Sequence, residues 1–291
     1  MSGKKPDWLK KKVKLNNKKI NEVTNLITSL HLNTVCQSAR CPNIYECFSN
    51  KTATFMILGD VCTRNCGFCG IKKGRPEAPD EDEPLRVARA VNEMGLKYVV
   101  ITSVTRDDLP DGGSNQFIKT VRGIQKKNPD VKIECLIPDF KGNLDSLKNL
   151  LSQNLIVLNH NIETTRENFK KVKKNSNYEN SLNILKYTKT LRPDIFTKSG
   201  FMLGLGEGEE EIIGLLSDLK EVACDIITIG QYLRPSEHNL PVKKYYSPEE
   251  FKKIEEIAEG YGFKEVICGP FVRSSYNAAA AVRKILKCDS S

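Results

Sequence analysis

Strand-like apolar runs separated by charged, helix-patterned segments recur along most of this 291-residue chain. The runs are rich in Val and Ile on both faces, which is typical of a parallel sheet covered by helices. They lie at 52–60, 97–104, 132–138, 155–163, 196–205, 225–233 and 264–269. The alternation predicts an α/β fold, a partial (β/α)6-type TIM barrel, in which the active site lies at the carboxyl ends of the strands.

The barrel accounts for residues 51–269 in this prediction. Residues 1–50 then form an N-terminal extension and 270–291 a C-terminal tail. Within the extension, apolar residues at helical spacing predict an amphipathic helix over 17–32. A second helix is predicted to begin at Ser247, with Pro248 as its first residue and Glu250 completing a capping box.

Composition narrows the class of protein. The chain has a net charge of +9, from 45 basic and 36 acidic residues, with a Lys-rich N-terminus. It has neither an apolar run long enough for a membrane span nor the apolar core of a secretory signal, so we expect a cytoplasmic protein without membrane contact. The basic segments lack interleaved aromatics and known nucleic-acid-binding spacings, which argues against nucleic acid and leaves an acidic protein partner or a solvated surface.

Ten cysteines in such a chain argue against a disulfide framework, because the cytosol keeps thiols reduced. Three of the scattered ones lie in apolar surroundings and are interpreted as small buried hydrophobic residues: Cys135, Cys224 and Cys268. Cys288 is the fourth scattered cysteine. The other six form two triplets.

The triplet Cys62, Cys66 and Cys69 follows the first predicted strand with C-x3-C-x2-C spacing. Three thiolates can hold an iron-sulfur cluster and leave one iron open for chemistry, whereas structural zinc and electron-transfer clusters normally have four protein ligands. No histidine lies at ligand spacing from this triplet, which disfavours zinc. The upstream triplet Cys36, Cys41 and Cys47, with C-x4-C-x5-C spacing, is a second incomplete site.

Polar residues lie where the other predicted strands end, and they are expected to face the same mouth of the barrel. Asn161 and Glu163 are two apart in a predicted strand, so they should point to one side. The remaining candidates are Thr102, Ser103, Lys198 and Arg234.

The downstream triplet, with the aromatic Phe68 before its last cysteine, resembles the signature of radical S-adenosyl-L-methionine enzymes. In that family S-adenosyl-L-methionine chelates the open iron of a 4Fe-4S cluster and is cleaved to a 5'-deoxyadenosyl radical. The resemblance implies abstraction of hydrogen from an unactivated C–H bond, which no side-chain base can deprotonate. It makes the six strand-end residues candidate contacts of S-adenosyl-L-methionine.

Both triplets together resemble the lipoyl synthase family. The match continues through VTRDDLPDGG (104–113), LNHNIETT (158–165), KSGFMLGLGE (198–207), TIGQYLRPS (228–236), HNLPV (238–242) and GPFVRSSY (269–276). It covers nearly the whole chain in the expected order. The resemblance implies that the upstream triplet binds a second, auxiliary 4Fe-4S cluster whose fourth ligand is a serine of the RSSY segment. Spacing does not choose between Ser274 and Ser275, and Ser275 is the favoured ligand.

The implied reaction inserts two sulfur atoms, at C6 and C8, into an octanoyl chain carried on a lysine of a partner protein. Implied carriers are the glycine cleavage H protein and the lipoyl domain of a 2-oxo acid dehydrogenase. Other implied partners are a low-potential electron donor, such as ferredoxin or flavodoxin, and an iron-sulfur assembly or carrier protein. The alternatives are a relative of biotin synthase, disfavoured by the upstream triplet, and a non-catalytic metal-binding or electron-transfer module.

Overall fold

A computed structural model describes residues 5–10 and 18–288 of the chain, except the side chain of Cys288. Parts of the Lys-rich N-terminus, residues 1–4 and 11–17, lie outside the described residues, as does the Cys288 side chain. The chain divides into two compact units. The N-terminal unit comprises the described residues of 11–64 and 70–157, and the C-terminal unit those of 1–10, 65–69 and 158–291.

The N-terminal unit begins with a helix and continues with β/α alternation. Its helices are α1 (Lys18–Ser29), α2 (Val35–Ser38), α3 (Ile44–Ser49), α4 (Glu83–Glu93), α5 (Ser114–Lys127) and α6 (Leu144–Leu151). Its strands are β1 (Asn33–Thr34), β2 (Thr54–Ile57), β3 (Val61–Cys62), β4 (Lys72–Lys73), β5 (Tyr98–Ser103) and β6 (Lys132–Leu136). A 3-10 turn spans Phe140–Gly142.

The C-terminal unit repeats the alternation. Its strands are β8 (Phe196–Leu203), β9 (Ile226–Gln231) and β10 (Glu265–Gly269), and it includes most of β7 (Val157–Asn159). Its helices are α7 (Arg166–Val172), α8 (Tyr178–Leu191), α9 (Glu209–Glu221), α10 (Pro248–Gly260) and α11 (Ala278–Cys288). A 3-10 turn spans Asp7–Leu9.

Within the N-terminal unit the strands lie in the order β1-β2-β5-β6, and within the C-terminal unit in the order β8-β9-β10. In the N-terminal unit β2 pairs with β5 and β5 with β6 in parallel, and in the C-terminal unit β8 pairs with β9 and β9 with β10 in parallel. In the N-terminal unit β1 pairs with β2 in antiparallel orientation. Every residue of β2 and β9 is buried, as expected for strands covered on both faces. The predicted parallel α/β fold is therefore confirmed.

All seven predicted strands are present, but the fourth is much shorter than predicted. The apolar run 155–163 yields only Val157–Asn159, because the chain leaves the sheet after Asn159. Glu163 has a left-handed φ of 75° and touches the sheet again through a single bridge to Phe201. The prediction that Asn161 and Glu163 share one strand is therefore wrong.

The predicted helices form at the expected residues. Ile20, Val23 and Ile27 are the buried face of α1. The α10 capping box is complete: the Glu250 amide donates to Ser247 Oγ at 3.2 Å, and the Ser247 amide donates to a Glu250 carboxylate oxygen at 2.8 Å.

The scattered cysteines whose side chains are described are core residues, as predicted. Cys135 and Cys224 are buried and Cys268 is half-buried. Burial raises the pKa of the Cys224 thiol to about 12 and raises the pKa values of Cys135 and Cys268 further. Such thiols stay protonated and unreactive at neutral pH.

In the described part of the chain, no helix has both the length and the apolar content that crossing a bilayer requires.

Candidate functional site

The upstream cysteine triplet lies in the N-terminal unit, with Cys36 on α2, Cys47 on α3 and Cys41 in the loop between these two short helices. Cys36 is buried on α2, which Thr34 caps, whereas Cys41 and Cys47 are partly exposed. The Cys41 amide donates to the Cys36 carbonyl at 3.0 Å, and Cys47 accepts through its carbonyl from Thr52 at 2.8 Å. Burial raises the pKa of the Cys36 thiol, opposed by a hydrogen bond from the Thr54 backbone.

The first cysteine of the downstream triplet also belongs to the N-terminal unit. Cys62 ends β3, and its sulfur accepts from the Arg64 amide at 3.4 Å. Thr63 between them donates through both its amide (3.1 Å) and its hydroxyl (2.9 Å) to the Thr105 carbonyl. The segment that carries Cys62 is thus fastened to the chain just beyond β5.

Arg64 is the strongest anchor of that segment. Its side chain is 5% exposed and forms salt bridges with two carboxylates of the same unit, Asp107 and Asp139. Nε and Nη2 donate to Asp107 at 2.7 and 2.8 Å, and Nη1 and Nη2 donate to Asp139, both at 2.7 Å. Burial alone would lower the pKa of Arg64, but the contacts with these two carboxylates raise it above its ordinary value. Bidentate pairs of this kind fix orientation as well as charge.

The remaining two cysteines, Cys66 and Cys69, belong to the C-terminal unit. Gly67 between them donates its amide to the Val172 carbonyl and accepts from the Leu240 amide, both at 2.9 Å. Leu240 lies so close that a Cβ on residue 67 would stand 2.8 Å from it, which explains the glycine. Phe68 packs into an apolar cluster around Tyr232.

Three thiols in each triplet provide the soft donors that iron-sulfur clusters require. None of the described cysteines is in a disulfide. Within 5–10 and 18–288, no three Cys, His, Asp or Glu side chains converge on one point as ligands of a single metal ion would. In a cubane cluster each thiolate binds a different iron, so the three sulfurs need not converge. The donor chemistry therefore fits a cluster at each triplet.

The predicted contacts in the N-terminal unit lie where they were expected, at the carboxyl end of β5. The Thr102 hydroxyl donates to the Leu136 carbonyl of the next strand at 3.0 Å. The hydroxyl of Ser103 is buried and has no hydrogen-bond partner in the described part of the chain. A buried hydroxyl without a partner costs folding free energy. A ligand that hydrogen-bonded to Ser103 would recover that cost.

In the C-terminal unit, Asn161 and Glu163 come together although they do not share a strand. The Asn161 side chain hydrogen-bonds to Glu163, and the backbone carbonyl of Asn161 accepts from Lys173 Nζ at 2.9 Å. Burial raises the pKa of Glu163, opposed by the Lys173 charge and the Asn161 bond.

Asn161 and Thr228 both lie close against Gly200. Asn161 Oδ1 and Thr228 Oγ1 are both buried and accept or donate no hydrogen bond among the described residues. Gly200 lies opposite Thr228 in the β8–β9 ladder. A Cβ on residue 200 would lie 2.4 Å from Thr228 Oγ1 and 3.1 Å from Asn161 Oδ1. The lack of a Cβ at Gly200 thus lets two polar atoms without hydrogen-bond partners approach the backbone closely.

Lys198 and Arg234 differ from expectation in position or in contacts. Lys198 is the third residue of β8, because the apolar run continues through Leu203, so the prediction that it ends the strand is wrong. Its side chain is fully buried. Arg234 follows β9, as predicted, but its guanidinium donates to two backbone carbonyls, those of Asn239 (2.9 Å) and Glu237.

The RSSY segment lies in the turn between β10 and α11 of the C-terminal unit. Ser274 and Ser275 are both half-buried. The turn is closed by the Tyr276 amide, which donates to the Arg273 carbonyl at 2.9 Å. The backbone of Val272 runs so close to Gly230 that a Cβ there would lie 2.2 Å from the Val272 carbonyl oxygen.

Several residues of these sites were not among the predicted candidates: Arg64, Asp107, Asp139, Gly200, Thr228 and Asn239. Arg64 stands inside the C-x3-C spacing itself, which is the signal that would have identified it. Its carboxylate partners are 43 and 75 residues away in sequence, a distance that local patterns do not span.

Comparison with known proteins identifies the family and supports the fold. The radical SAM superfamily model matches residues 56–219. Among solved structures, HydG, a maturase of the [FeFe]-hydrogenase, has a TM-score of 0.59 at 15% identity over 94% of this chain and 67% of its own. Methylornithine synthase has a TM-score of 0.52 at 14% identity over 94% of both chains. At these identities the likeness establishes the fold alone.

Curated relatives are far more similar. Lipoyl synthase of Caldanaerobacter subterraneus is 51% identical over 96% of this chain and 97% of its own length. Lipoyl synthase of Aquifex aeolicus is 52% identical over 89% of this chain and 94% of its own. Lipoyl synthase of Caldicellulosiruptor saccharolyticus is 49% identical over 98% of this chain and 100% of its own. Since half of the residues agree over nearly the full length, the chain belongs to the lipoyl synthase family of the radical SAM superfamily.

Proposed function

We infer that the chain is a sulfur-inserting enzyme that converts an octanoyl group on a carrier-protein lysine into a lipoyl group, adding one sulfur at C6 and one at C8. The observation that carries this inference is the near-complete match to lipoyl synthases at about half identity. Retention of both cysteine triplets supports it, because sulfur insertion needs both a radical source and a sulfur source.

Cys62, Cys66 and Cys69 would hold the 4Fe-4S cluster that binds S-adenosyl-L-methionine. When bound, this pair supplies the electron and the radical that abstract hydrogen from an unactivated carbon. The protein's part is to hold the three thiols. Arg64 fixes the Cys62 side of the segment through its two carboxylates, and the Leu240 backbone fixes the Cys66 to Cys69 side through Gly67.

Cys36, Cys41 and Cys47, with Ser275 as the fourth ligand, would hold the auxiliary cluster that gives up sulfur. A serine oxygen is a harder and less usual ligand of iron than a thiolate, which suits a cluster that must be taken apart. The proposal includes the division into an extension (1–50) carrying this triplet, a barrel (51–269) and a tail (270–291) carrying the serine. Ser274 is the alternative ligand.

For S-adenosyl-L-methionine itself, we assign contacts to Asn161 and Glu163 and add Thr228. Between them they offer an amide oxygen, a carboxyl group and a hydroxyl, the set that hydrogen-bonds ribose hydroxyls or an amino group. The unpaired Asn161 Oδ1 and Thr228 Oγ1 support the assignment, because a ligand would satisfy both. Thr102, Ser103, Lys198 and Arg234 stay predicted contacts.

Substitution of Gly200 by Ala is expected to weaken binding of S-adenosyl-L-methionine. The added Cβ would lie 2.4 Å from the buried Thr228 hydroxyl and 3.1 Å from Asn161 Oδ1, so it would displace the groups assigned to the cofactor. Thr228 is β-branched and lies in a fully buried strand, so it has little room to retreat. We expect the dissociation constant, measured anaerobically by calorimetry on reconstituted protein, to rise about tenfold or more, equivalent to about 1.4 kcal/mol.

Gly214 provides the matched control. It is an exposed glycine in α9, and a Cβ there meets nothing within 4 Å. Gly214→Ala should therefore leave binding unchanged while slightly stabilising the helix. Unaltered affinity in Gly200→Ala would contradict the assignment of Asn161 and Thr228 as contacts of S-adenosyl-L-methionine.

The partners follow from the reaction. The substrate would be an octanoylated carrier, either the glycine cleavage H protein or the lipoyl domain of a 2-oxo acid dehydrogenase. A ferredoxin or flavodoxin would supply low-potential electrons, and an iron-sulfur assembly or carrier protein would rebuild the auxiliary cluster. The net charge of +9 favours docking of an acidic carrier domain.

The activity is tested by anaerobic incubation of reconstituted protein with an octanoyl-lysine peptide, dithionite and S-adenosyl-L-methionine. Mass spectrometry of the peptide should detect the addition of two sulfur atoms, with loss of two hydrogens when the dithiolane closes. An unmodified peptide, from protein shown by iron and sulfide determination to contain both clusters, would contradict the proposed function.

A further inference from the structure

The segment from Gly67 to Cys69 is held by a second element of the C-terminal unit, the loop 236–240. Asn239 Nδ2 donates to the carbonyl of Cys69 at 2.9 Å and to that of Gly67 at 3.3 Å. The next residue, Leu240, donates its amide to the Gly67 carbonyl at 2.9 Å. Two successive residues, far along the chain, therefore bind two carbonyls within the spacing of one cysteine pair.

Asn239 is itself fixed from three sides. Its side chain is buried, and its Oδ1 accepts from the Ser236 hydroxyl at 2.8 Å. Its carbonyl accepts from Arg234 Nε at 2.9 Å, and its amide donates to the Ser236 carbonyl at 3.1 Å. The Ser236 bond decides the orientation of the amide group: with Oδ1 turned to Ser236, the two N–H donors point at the cysteine segment.

We propose that Asn239 is a positioning residue for Cys66 and Cys69, acting through the backbone carbonyls of Gly67 and Cys69. The proposal rests on the inference that these cysteines are cluster ligands, and it adds a residue of the chain that determines how their thiols are presented. Arg234 and Ser236 contribute indirectly to this positioning, because both hydrogen-bond to Asn239 and fix its orientation.

If Asn239 served only to anchor the loop 236–240, its hydrogen bonds to the cysteine segment would not be needed. That loop already has its own attachments: the Tyr232 hydroxyl donates to the Leu240 carbonyl at 2.8 Å, and Leu240 and Val242 pack against an apolar cluster. The Asn239 side-chain amide instead donates to the carbonyls of Gly67 and Cys69, on either side of Phe68. Groups that hydrogen-bond to metal ligands and orient them influence both the metal affinity and the reduction potential of the site.

The test uses protein in which Cys36, Cys41 and Cys47 are replaced by Ala, so that only the downstream triplet can load a cluster. In this parent, Asn239→Ala and Asn239→Asp remove the donors, the second at nearly unchanged size. Two readouts are taken anaerobically after reconstitution: the rate of iron loss to a chelator, and the midpoint potential of the cluster followed by electron paramagnetic resonance.

Both Asn239 variants should lose iron about tenfold faster than the parent and shift the midpoint potential. Ser236→Ala, which frees the amide to rotate, should do so to a smaller extent. Asn128 is the matched control: its Nδ2 also donates to a backbone carbonyl, that of Ala88 at 3.1 Å in the N-terminal unit, and Asn128→Ala should change neither readout.

The outcomes separate the two levels of inference. A parent that binds no iron contradicts the assignment of Cys62, Cys66 and Cys69, whatever Asn239 does. A parent that loads its cluster, with Asn239 variants that match Asn128→Ala in iron loss and potential, overturns the positioning role. Should Asn239→Ala fold poorly, as judged by its melting temperature without iron, Asn239→Asp and Ser236→Ala decide the question.

Discussion

Replacing Cys36 by Ala should abolish sulfur insertion while leaving the cleavage of S-adenosyl-L-methionine intact, whereas replacing Cys66 by Ala should abolish both. Cys66 would be a ligand of the cluster that binds the nucleotide, so without it no radical forms. Cys36 would belong only to the sulfur-donating cluster, so its loss leaves radical chemistry without a sulfur source. The measurement is 5'-deoxyadenosine by chromatography and octanoyl-lysine peptide by mass spectrometry, in one anaerobic reaction.

Cys135→Ala is the control for simply losing a cysteine. Cys135 is fully buried on β6, and burial keeps its thiol protonated. This variant should retain both products. Formation of 5'-deoxyadenosine by Cys66→Ala, or its absence from Cys36→Ala, would contradict the separate roles of the two triplets in radical formation and sulfur donation.

Replacing Arg64 by Met should destabilise the protein more than any surface substitution. It would leave Asp139, 4% exposed, and Asp107, 23% exposed, facing each other without their cation. Removing one partner of a buried ion pair costs about 3–5 kcal/mol of unfolding free energy, because the remaining charge is left uncompensated. Denaturant unfolding of the iron-free protein measures it. Arg64→Lys should recover part of the loss, because a lysine keeps the charge but not the bidentate geometry.

Arg89→Met is the matched control in the same unit. Arg89 pairs with Glu93 on the surface of α4, with side chains 60% and 37% exposed, and such pairs contribute about 0.3–0.5 kcal/mol. If Arg64→Met were no more destabilising than Arg89→Met, the Arg64 network would not be the anchor of the Cys62 segment.

Periodicity and caps predicted the fold because they are local. The two-faced apolar runs became parallel strands, and the Ser247 to Glu250 spacing became a complete capping box. The six cysteines are predicted as ligands on an equally local signal, their spacing, and that assignment stays a prediction. In each case the residues that determine the outcome are neighbours in the sequence.

The errors and omissions concern residues whose environment is set by distant parts of the chain. The fourth strand ends at Asn159 and the backbone is left-handed at Glu163, two features that hydrophobicity does not reveal. Lys198 lies early in β8 because strand length depends on pairing with β9. Asn239 approaches Cys69 across 170 positions of sequence, and only the folded chain brings the two together.

The central claim, that each cysteine triplet holds its own 4Fe-4S cluster, is tested most directly by counting iron and sulfide in protein purified and reconstituted without oxygen. We expect about eight irons per chain, and about four after either triplet is replaced by alanine, because each cubane contributes four. About four irons in the intact protein, unchanged by replacing one of the triplets, or zinc in place of iron, would contradict it.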